Sequence, residues 1–545
     1  MSELRYVGKP AEGIDALEKA MGKTKYVGDM QLPNMLFASV LRSPVPHARI
    51  THLNVDPALK VPGVVAAITS ADFVNHGNWA WPVKDQYMLA YQKVNYVGNA
   101  IAAVAGETLG AARAGVEAIE LELAELPGVF EVEKALEPDA PQIPLVSPTG
   151  QGNLCEHTIV RNGDPDPILQ DCPVRYEETF HVSHQEHAYM EPEAAVAIPH
   201  PDGAITVYYN GQSPFFNRDW LVEVLGLPPE KVRVIQAVVG GSFGGKDDIG
   251  YQSSGQVAAL ALKTGRPVKL VLGREESMIA SYKREPISVH FSLGADAEGN
   301  LQAAKVDMLT DCGGYASQTT LAMLRAALHA AGAYRYQAVH VDVNTVYTNN
   351  GFCGAFRGFG NTGAAATIEQ AVDDLAYRLG RDPIDFRLQN VVRQGDRVMS
   401  GNRVDHEVGL ADCLHWVRQE SEWDRKREAY ADQNGELRRG VGVACYMHGS
   451  SLGGEGEDYA NCTLGIEQDY SLTLTSGLTD YGQGSRTVFT LVAAETLGVD
   501  PSRIHMLRPD TDTAIESGPT VASRSTMLGG NATRVAAEKL DRLLR

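Results

Sequence analysis

One pattern is written twice in this 545-residue chain, and it narrows the folds open to it. The run Ile205 to Tyr209 alternates as a half-buried strand does. It leads into Gly211-Gln212, a helical stretch through Leu221 and Val224, and Gly226. Pro228 to Lys231 then turn the chain into a predicted strand from Val232 to Val239. From Ser471 to Thr475 the same order begins again: Gly482-Gln483, a helix ending at Leu497-Gly498, the turn Asp500 to Arg503, and the strand Ile504 to Leu507. The glutamine precedes the closing glycine by 14 residues in the first copy and 15 in the second. Glycine closes a helix in the left-handed conformation, and a proline shortly after cannot extend it. Both copies therefore read as strand–helix–strand units, and together as a duplicated subdomain. The loops after the two copies are then placed to line one crevice, a common seat for ligands.

The rest of the chain predicts an α+β protein. Residues 1–20 are a polar lead-in. Residues 21–135 mix short strands (Leu36 to Leu41, Val64 to Ile68) with an Ala-rich helix from Glu107 to Leu121, as a compact α+β domain does. Residues 136–152 are Pro-rich and read as a linker. The first copy lies in 153–400 and the second in 401–545. Between them Ile368, Ala371, Val372, Leu375, Ala376 and Leu379 recur at helical spacing, Gly380 is a stop, and Asp382-Pro383 starts the next helix. A net charge of −20 repels nucleic acid and anionic membrane surfaces. No apolar run reaches the roughly 18 residues of a membrane span, and no signal-type segment opens the chain, so a cytoplasmic location is expected. The seven cysteines are never closer than 17 residues, which excludes a local CxxC zinc site or a ferredoxin-type iron–sulfur motif within the sequence.

Four loops can carry chemistry. Gly240 to Asp247 is GGSFGGKD; its glycines let the backbone approach a ligand and turn N–H groups toward an anion. It nearly matches a P-loop, but the position that should be Ser or Thr is Asp247, and a carboxylate there repels phosphate. A plain packing turn is the other reading. Gly354 to Gly363 contains G-x-G-x-x-G from Gly358, yet the acidic residue at a strand end that a dinucleotide site needs is missing. Arg357, flanked by Phe356, Phe359 and glycines, reads better as an anion clamp. Gln185 to Pro192 offers His and Glu, but His184 and His187 lack a cysteine companion, and a structural role is expected. In the tail, Ala522 to Thr526 with Gly529-Gly530 sets small hydroxyl residues beside glycines, a polar loop able to hold a polar ligand.

Taken together, these loops resemble the molybdopterin-binding subunit of the xanthine dehydrogenase and aldehyde oxidase family of molybdenum hydroxylases. Gly22 to Tyr26, Arg42 to Ala48, Pro62 to Val64 and Val94 to Gly98 resemble that family's N-terminal α/β hammerhead domain. GGSFGGK, GAFRGFG, the Gly482-Gln483-Gly484 turn and ASRST then follow in the family's order. The implied fold is a hammerhead domain followed by a large mixed α/β molybdopterin-binding region of two related subdomains, the second incomplete. The implied activity is hydroxylation of an electron-poor carbon with oxygen from water, two electrons leaving through iron–sulfur clusters. The substrate is expected to be a small aromatic N-heterocycle, purine-like or nicotinate-like, or an aldehyde.

The resemblance also implies roles for individual residues. Molybdenum would be held by the pterin dithiolene, with no protein side chain as ligand. Gln212 would hydrogen-bond an oxygen ligand of the metal. Ser242, Phe243 and Gly244 would approach metal and pterin through their backbone, and Arg357 would stand beside the metal. Gly482, Gln483, Gly484, Ala522, Ser523, Arg524 and Ser525 would bind the pterin and its phosphate, whether as molybdopterin or as its cytosine dinucleotide form. Phe359 would pack on an aromatic substrate, with a core phenylalanine as the rival reading. Arg325 and Asp247 match positions where purine hydroxylases stabilise charge on the ring and meet its nitrogens, although an Arg on a helix surface is the rival for Arg325. Gly358 stands where carbon monoxide dehydrogenases carry a copper-binding cysteine, which argues against that activity.

One departure matters. The family's catalytic glutamate lies in a glycine-flanked motif far toward the C-terminus, and no such motif occurs in the sequence. Without a base nothing accepts the proton of the attacking oxygen. A second molybdopterin-binding chain supplying it is expected, or else a truncated sequence, and the chain alone is expected to be inactive. A 2Fe-2S subunit and an FAD subunit are the other expected partners. A non-catalytic cofactor-holding subunit and a nucleotide-binding ATPase are the rival functions.

Overall fold

The computed structural model describes residues 4–453 and 456–545. The duplicated unit is present twice. Strand Ala194–Pro199 pairs antiparallel with Ile205–Tyr209, helix Pro214–Leu225 crosses over, and Val232–Gln236 returns parallel to Ile205–Tyr209. Cys462–Ile466, Leu472–Ser476, helix Ser485–Leu497 and Ile504–Met506 repeat this arrangement with the same directions. Gly226 and Gly498 close the two helices at φ 66° and 69°. The strand after the first helix is shorter than predicted. Gln236 N donates to Pro509 O at 3.0 Å and Val238 bridges to Tyr26, so the backbone leaves the ladder before Val239.

The first copy is embedded in a seven-stranded sheet. Beyond Ala194–Pro199 come Val268–Val271, Leu36–Arg42, Ala100–Gly106 and Val64–Ile68. The strands of the N-terminal region thus share a sheet with the first copy, and Leu36–Arg42 runs parallel to Val268–Val271. Burial on both faces explains this. Every residue of Ala100–Gly106 is buried, which requires cover that a small separate domain cannot give on both sides. Helix Asp248–Thr264 supplies one cover, with Val257, Ala258, Leu260 and Ala261 fully buried. The predicted helix from Glu107 to Leu121 is confined to Leu109–Glu117. Residues Glu120–Glu125 form a strand, because charged and apolar side chains alternate there with a period of two.

A second, five-stranded sheet runs in the order Val174–Val182, Ile287–Ala295, Leu301–Gly313, Ala338–Tyr347, Leu154–Asn162. Helices Thr319–Ala327 and Asn361–Arg378 pack on it through a core that includes Val306, Val341, Ile368 and Leu375. The start expected at Asp382-Pro383 is present: Asp382 Oδ1 accepts from Ile384 N at 2.8 Å and from Asp385 N at 3.3 Å. The Pro-rich stretch has no helix or strand from 136 to 153, yet it is anchored. Asn153 accepts from Ile143 N at 2.8 Å and donates to Ala135 O and Pro141 O.

The lead-in, of which residues 1–3 lie outside the described residues, crosses to the second copy. The Arg5, Tyr6 and Val7 N–H groups converge on the Glu495 carboxylate at 3.0, 2.7 and 3.2 Å, and Ile14 N donates to Thr487. These bonds hold the Glu495 carboxyl below its ordinary range. Among the described residues no helix is long and apolar enough to cross a membrane, and no group of His, Cys, Asp and Glu could hold a metal ion.

Candidate functional site

The turn between strand and helix in the first copy begins at Gly211. A Cβ there would meet the Tyr209 ring at 2.1 Å and Lys246 O at 2.8 Å, so only glycine fits under the neighbouring loop. Gln212 follows and is 2% exposed. Its Oε1 accepts from the Ser242 hydroxyl, and its backbone carbonyl accepts from Thr479 Oγ1 at 2.8 Å. Its Nε2 has no hydrogen-bond partner among the described residues. The amide is thus pinned by one end, with its donor end free for an acceptor.

The loop Gly240 to Lys246 is fixed from behind by Glu191. One oxygen of that carboxylate accepts from Gly240 N at 2.6 Å and from Lys246 Nζ at 3.0 Å. Lys246 is wholly buried, with its ammonium 4.8 Å from the Tyr189 ring centre. A P-loop lysine must reach a phosphate; this one points into the protein, so the nucleotide reading fails on geometry as well as on Asp247. The front of the loop is open. Phe243 has φ 56° and is 45% exposed, and Gly244 has φ 100°. A Cβ on Gly244 would lie 2.8 Å from Ala355 O. Tyr282 OH donates to Gly244 O and accepts from Asp247 N.

Asp247 itself is buried behind this loop, where Tyr251 OH donates to Oδ1 at 3.1 Å. Burial, with Asp248 alongside, pushes its carboxyl up to about 7. Asp248 accepts from Gln86 and from the Ser317 hydroxyl. The carboxylate expected to meet ring nitrogens is thus turned toward Tyr251 in this structure.

The second loop docks on the first: Arg357 N donates to Phe243 O at 2.8 Å. Gly358 and Phe359 both have positive φ, 100° and 45°, and a Cβ on Gly358 would strike Thr362 at 2.4 Å. Residues from the Gln185–Pro192 segment and its neighbours prop this loop. His187 stacks on Phe356 at 4.2 Å and its Nε2 donates to Ala355 O at 2.9 Å. Burial lowers its imidazole to about 4, so it is neutral at ordinary pH, as suits a packing residue. The Arg284 guanidinium lies 4.0 Å over the Phe356 ring and donates to Arg357 O at 2.8 Å. The Arg357 side chain is exposed, and its guanidinium has no hydrogen-bond or ion-pair partner among the described residues, though its charge acts on Tyr481. Phe359 is half-buried between two core clusters.

The second copy meets these loops edge on. Gln236 Nε2 donates to Gly211 O and Asp480 O at 3.1 and 3.4 Å. Thr511 pairs with Val234, and Arg233 bonds Asp510. The Gly482-Gln483-Gly484 turn is closed on itself. Asp480 accepts from Gly482 N, Gly484 N and Arg486 N, and Gln483 bonds Tyr481 N and Thr479 O. The tail joins through Thr520, whose hydroxyl accepts from Thr479 N at 2.7 Å. Ala522, at φ 50°, and Ser523 are exposed, and Ser525 opens a π-helical turn, Ser525–Gly529.

Two expected side chains point elsewhere. Arg524 is wholly buried and directs its guanidinium to Asp458, Tyr459 O, Ser517 O and Pro519 O, so it fixes the tail from within and cannot face a phosphate. Arg325 is buried rather than on a helix surface, and its guanidinium donates to the carbonyls of Gly449, Ser451 and Leu452.

The comparisons with known proteins decide the family. Residues 21–127 match the aldehyde oxidase and xanthine dehydrogenase a/b hammerhead domain, and residues 146–391 and 416–545 match molybdopterin cofactor-binding domains. A probable xanthine dehydrogenase subunit of Bacillus subtilis is 35% identical over 94% of this chain and 68% of its own length. The chain belongs to the molybdenum hydroxylase family of xanthine dehydrogenase and aldehyde oxidase. A nicotinate dehydrogenase large molybdopterin subunit of Eubacterium barkeri is 38% identical over 77% of this chain and 97% of its own. The solved aldehyde oxidoreductase of Desulfovibrio gigas superposes with a TM-score of 0.87 at 28% identity, over 97% of this hydroxylase chain and 59% of that one. The chain thus spans about three fifths of that enzyme.

The family's cofactor is molybdopterin, and the site suits it. A pterin whose sulfurs carry the metal asks the protein for hydrogen-bond donors and close backbone approach. The free Gln212 amide, the glycine loop that no Cβ could share and the unpaired Arg357 are such donors. Four positions were not legible as site residues. Tyr282 and Arg284 brace the two loops from the segment between helix Arg274–Ala280 and strand Ile287–Ala295. Thr479 and Asp480 precede the second Gly-Gln turn, and the Asp–x–Gly spacing before a helix was a signal available for Asp480.

Proposed function

We propose that this chain holds molybdopterin in an enzyme that hydroxylates a small aromatic N-heterocycle, purine-like or nicotinate-like, or an aldehyde, with water as oxygen source and a 2Fe-2S subunit as electron acceptor. The observation that carries this is the convergence of Gln212, Ser242, Phe243, Gly244 and Arg357 by direct contacts from separate loops. When bound, the cofactor supplies the two-electron oxidation. The chain's own part is positioning. Gln212 Nε2 presents one fixed donor, and the backbone of 242–244 gives close approach. Phe243 offers an exposed ring face beside the unpaired Arg357, a pairing that suits an aromatic ring with a polar or anionic edge. The likeness to a nicotinate dehydrogenase subunit supports the heterocycle class. The backbone of 482–484 and 522–525 would approach the pterin and its phosphate, while the Gln483 side chain steadies its own turn.

The base would come from outside these residues, from a second molybdopterin-binding chain or from sequence that continues this one. The carboxylates nearest the loops are engaged: Glu191 by Lys246 and Gly240, Asp247 by Tyr251, Asp480 by its own turn. Asp247, raised to about 7, keeps its proton over the lower half of the physiological range. The same observation favours the second reading, a cofactor-holding half without chemistry of its own. Metal and pterin analysis of the complex from its native host, followed by assays with purines, nicotinate and aldehydes, tests both. The chain expressed alone is expected to retain no molybdenum and turn over no substrate. An isolated chain loaded with molybdenum and active would refute the proposal, and a loaded complex inert to every class would favour the second reading.

A further inference from the structure

Three buried carboxyl groups stand in a row behind the glycine loop, and three successive residues hold them. Ala316 N donates to Asp85 Oδ2 at 2.7 Å, the Ser317 hydroxyl donates to Asp248, and Gln318 Nε2 donates to Asp248 Oδ1 at 3.5 Å and bonds Asp247 as well. Gln86, the residue after Asp85, donates to Asp248 Oδ2 at 3.3 Å from the other side. Asp248 is the middle member, and its charge acts on both Asp247 and Asp85. The inner end reaches the candidate site: Asp247 N donates to Tyr282 OH, and that hydroxyl donates to Gly244 O.

The outer end opens on a small cleft. Asp85 lines it with Lys93, Asn95 and Tyr315, and Leu145 stands exposed at its rim. Its volume is about 10 Å³, the space of one water. Asn95 is only 4% exposed, yet its Oδ1 has no partner among the described residues, and neither has Asp85 Oδ1. Buried acceptors beside such a space suit a water that donates to them.

A purely structural row would be costly, because like charges buried side by side repel. Among the described residues no Lys, Arg or His bonds any of the three carboxyls. The titratable groups facing them are Tyr209, Tyr251, Tyr282 and Tyr481 about Asp247, and Tyr87, Tyr315, Tyr347 and Cys312 about Asp85, with Lys93 across the cleft. Burial raises all three carboxyls, and the Asp248 charge helps bring Asp247 and Asp85 to about 7. Groups so tuned take and release protons near neutrality.

Resting on the proposed hydroxylation, we infer that this row is the exit for a proton of each turnover, which passes from Asp247 to Asp248 to Asp85 and leaves through the cleft at Asn95. Oxidation of C–H to C–OH with water frees two protons and two electrons. The electrons go to the 2Fe-2S subunit, and one proton takes the row. At each hop an O–H bond breaks on one carboxyl and forms on the next, and a water in the cleft carries the proton to solvent.

Stopped-flow measurement of the assembled enzyme with a pH-indicator dye tests this. Asp85→Asn is expected to slow proton release and kcat about tenfold or more, with KM, molybdenum content and the first reduction of the 2Fe-2S centre unchanged. Tyr347→Phe removes only a hydroxyl bond that favours the charged form of Asp85, so it should move the pH profile of kcat upward even where Asp85→Asn does not fold. In the full chain alone, infrared spectra should show a protonated carboxyl band that fades as pH rises through about 7 and that Asp85→Asn weakens. Proton release unchanged in both variants of an active enzyme overturns the exit and leaves the proposed function standing. Loss of molybdenum in step with loss of rate shows Asp85 to be structural and also overturns it. A molybdenum-loaded complex that oxidises no substrate class, with the infrared band present, overturns the function and the exit with it.

Discussion

Gln212 and Gln483 hold the same place in the two copies of one unit and are put to opposite uses. In the first copy Pro214 opens the helix and lacks an N–H, Ser213 places no side-chain cap, and Gln212 turns its amide away from its own turn toward Ser242. In the second copy Asp480 satisfies three backbone N–H groups, and Gln483 folds back on Tyr481 and Thr479. A donor closed into its own turn stabilises the scaffold and is withheld from a ligand. One scaffold written twice thus yields one outward-facing donor and one closed turn. The difference lies in the residues just before each helix, Asn210 in one copy and Asp480 and Tyr481 in the other.

The comparison can be broken directly. Gln212→Ala in the assembled enzyme is expected to lower kcat by about a hundredfold, the usual loss for one preorganised donor, while Gln483→Ala changes it only a few-fold; equal losses would end the asymmetry. Gly244→Ala is expected to cost about 1–3 kcal/mol in unfolding experiments, because its φ of 100° and the Ala355 carbonyl leave no room for a side chain. Molybdenum content should fall with it.

Buried Asp247 gives a pH signature. Its carboxyl is raised from 3.8 to about 7, so the folded state binds the extra proton between those values. Stability should therefore decline as pH rises from about 4 to about 7 and then level, by at most about 1.4 kcal/mol per pH unit for one group. Asp247→Asn should flatten that part of the profile measured by urea titration, less the share that Asp85, also raised to about 7, retains. Asp480→Ala removes a cap from the second copy and should cost about 1 kcal/mol, seen as a lower urea midpoint. Smallest of all, Thr479→Val deletes the hydroxyl bond to Gln212 O and should cost about 0.5–1.5 kcal/mol. It should also raise KM more than it lowers kcat if it only steadies the turn.

The repeat, the helix at 361–378 and the loop order were legible because each rests on local chemistry: alternation, helical spacing, closing glycines. The end of the helix at Glu117 was missed because Ala-rich sequence favours helix, while the Glu–Leu alternation after it answers to a neighbouring strand. The sharing of a sheet between Leu36–Arg42 and Val268–Val271 depends on partners more than 220 residues apart, which no window of sequence displays. Within the site, the glycines and Gln212 announced themselves by type and spacing. The direction of a long side chain did not, and so Arg524 and Arg325 read as ligand contacts although the Arg325 guanidinium bonds backbone carbonyls and the Arg524 guanidinium bonds carbonyls and the Asp458 carboxylate.

The strap that ties Arg5, Tyr6 and Val7 to Glu495 spans up to 490 residues of chain. On a ribosome adding about 5–20 residues per second, residues 5–7 wait roughly half a minute to a minute and a half for their anchor to be made. This strap is therefore among the last contacts to settle. A bulky group placed beside residues 5–7 burdens the closing step of maturation rather than its start.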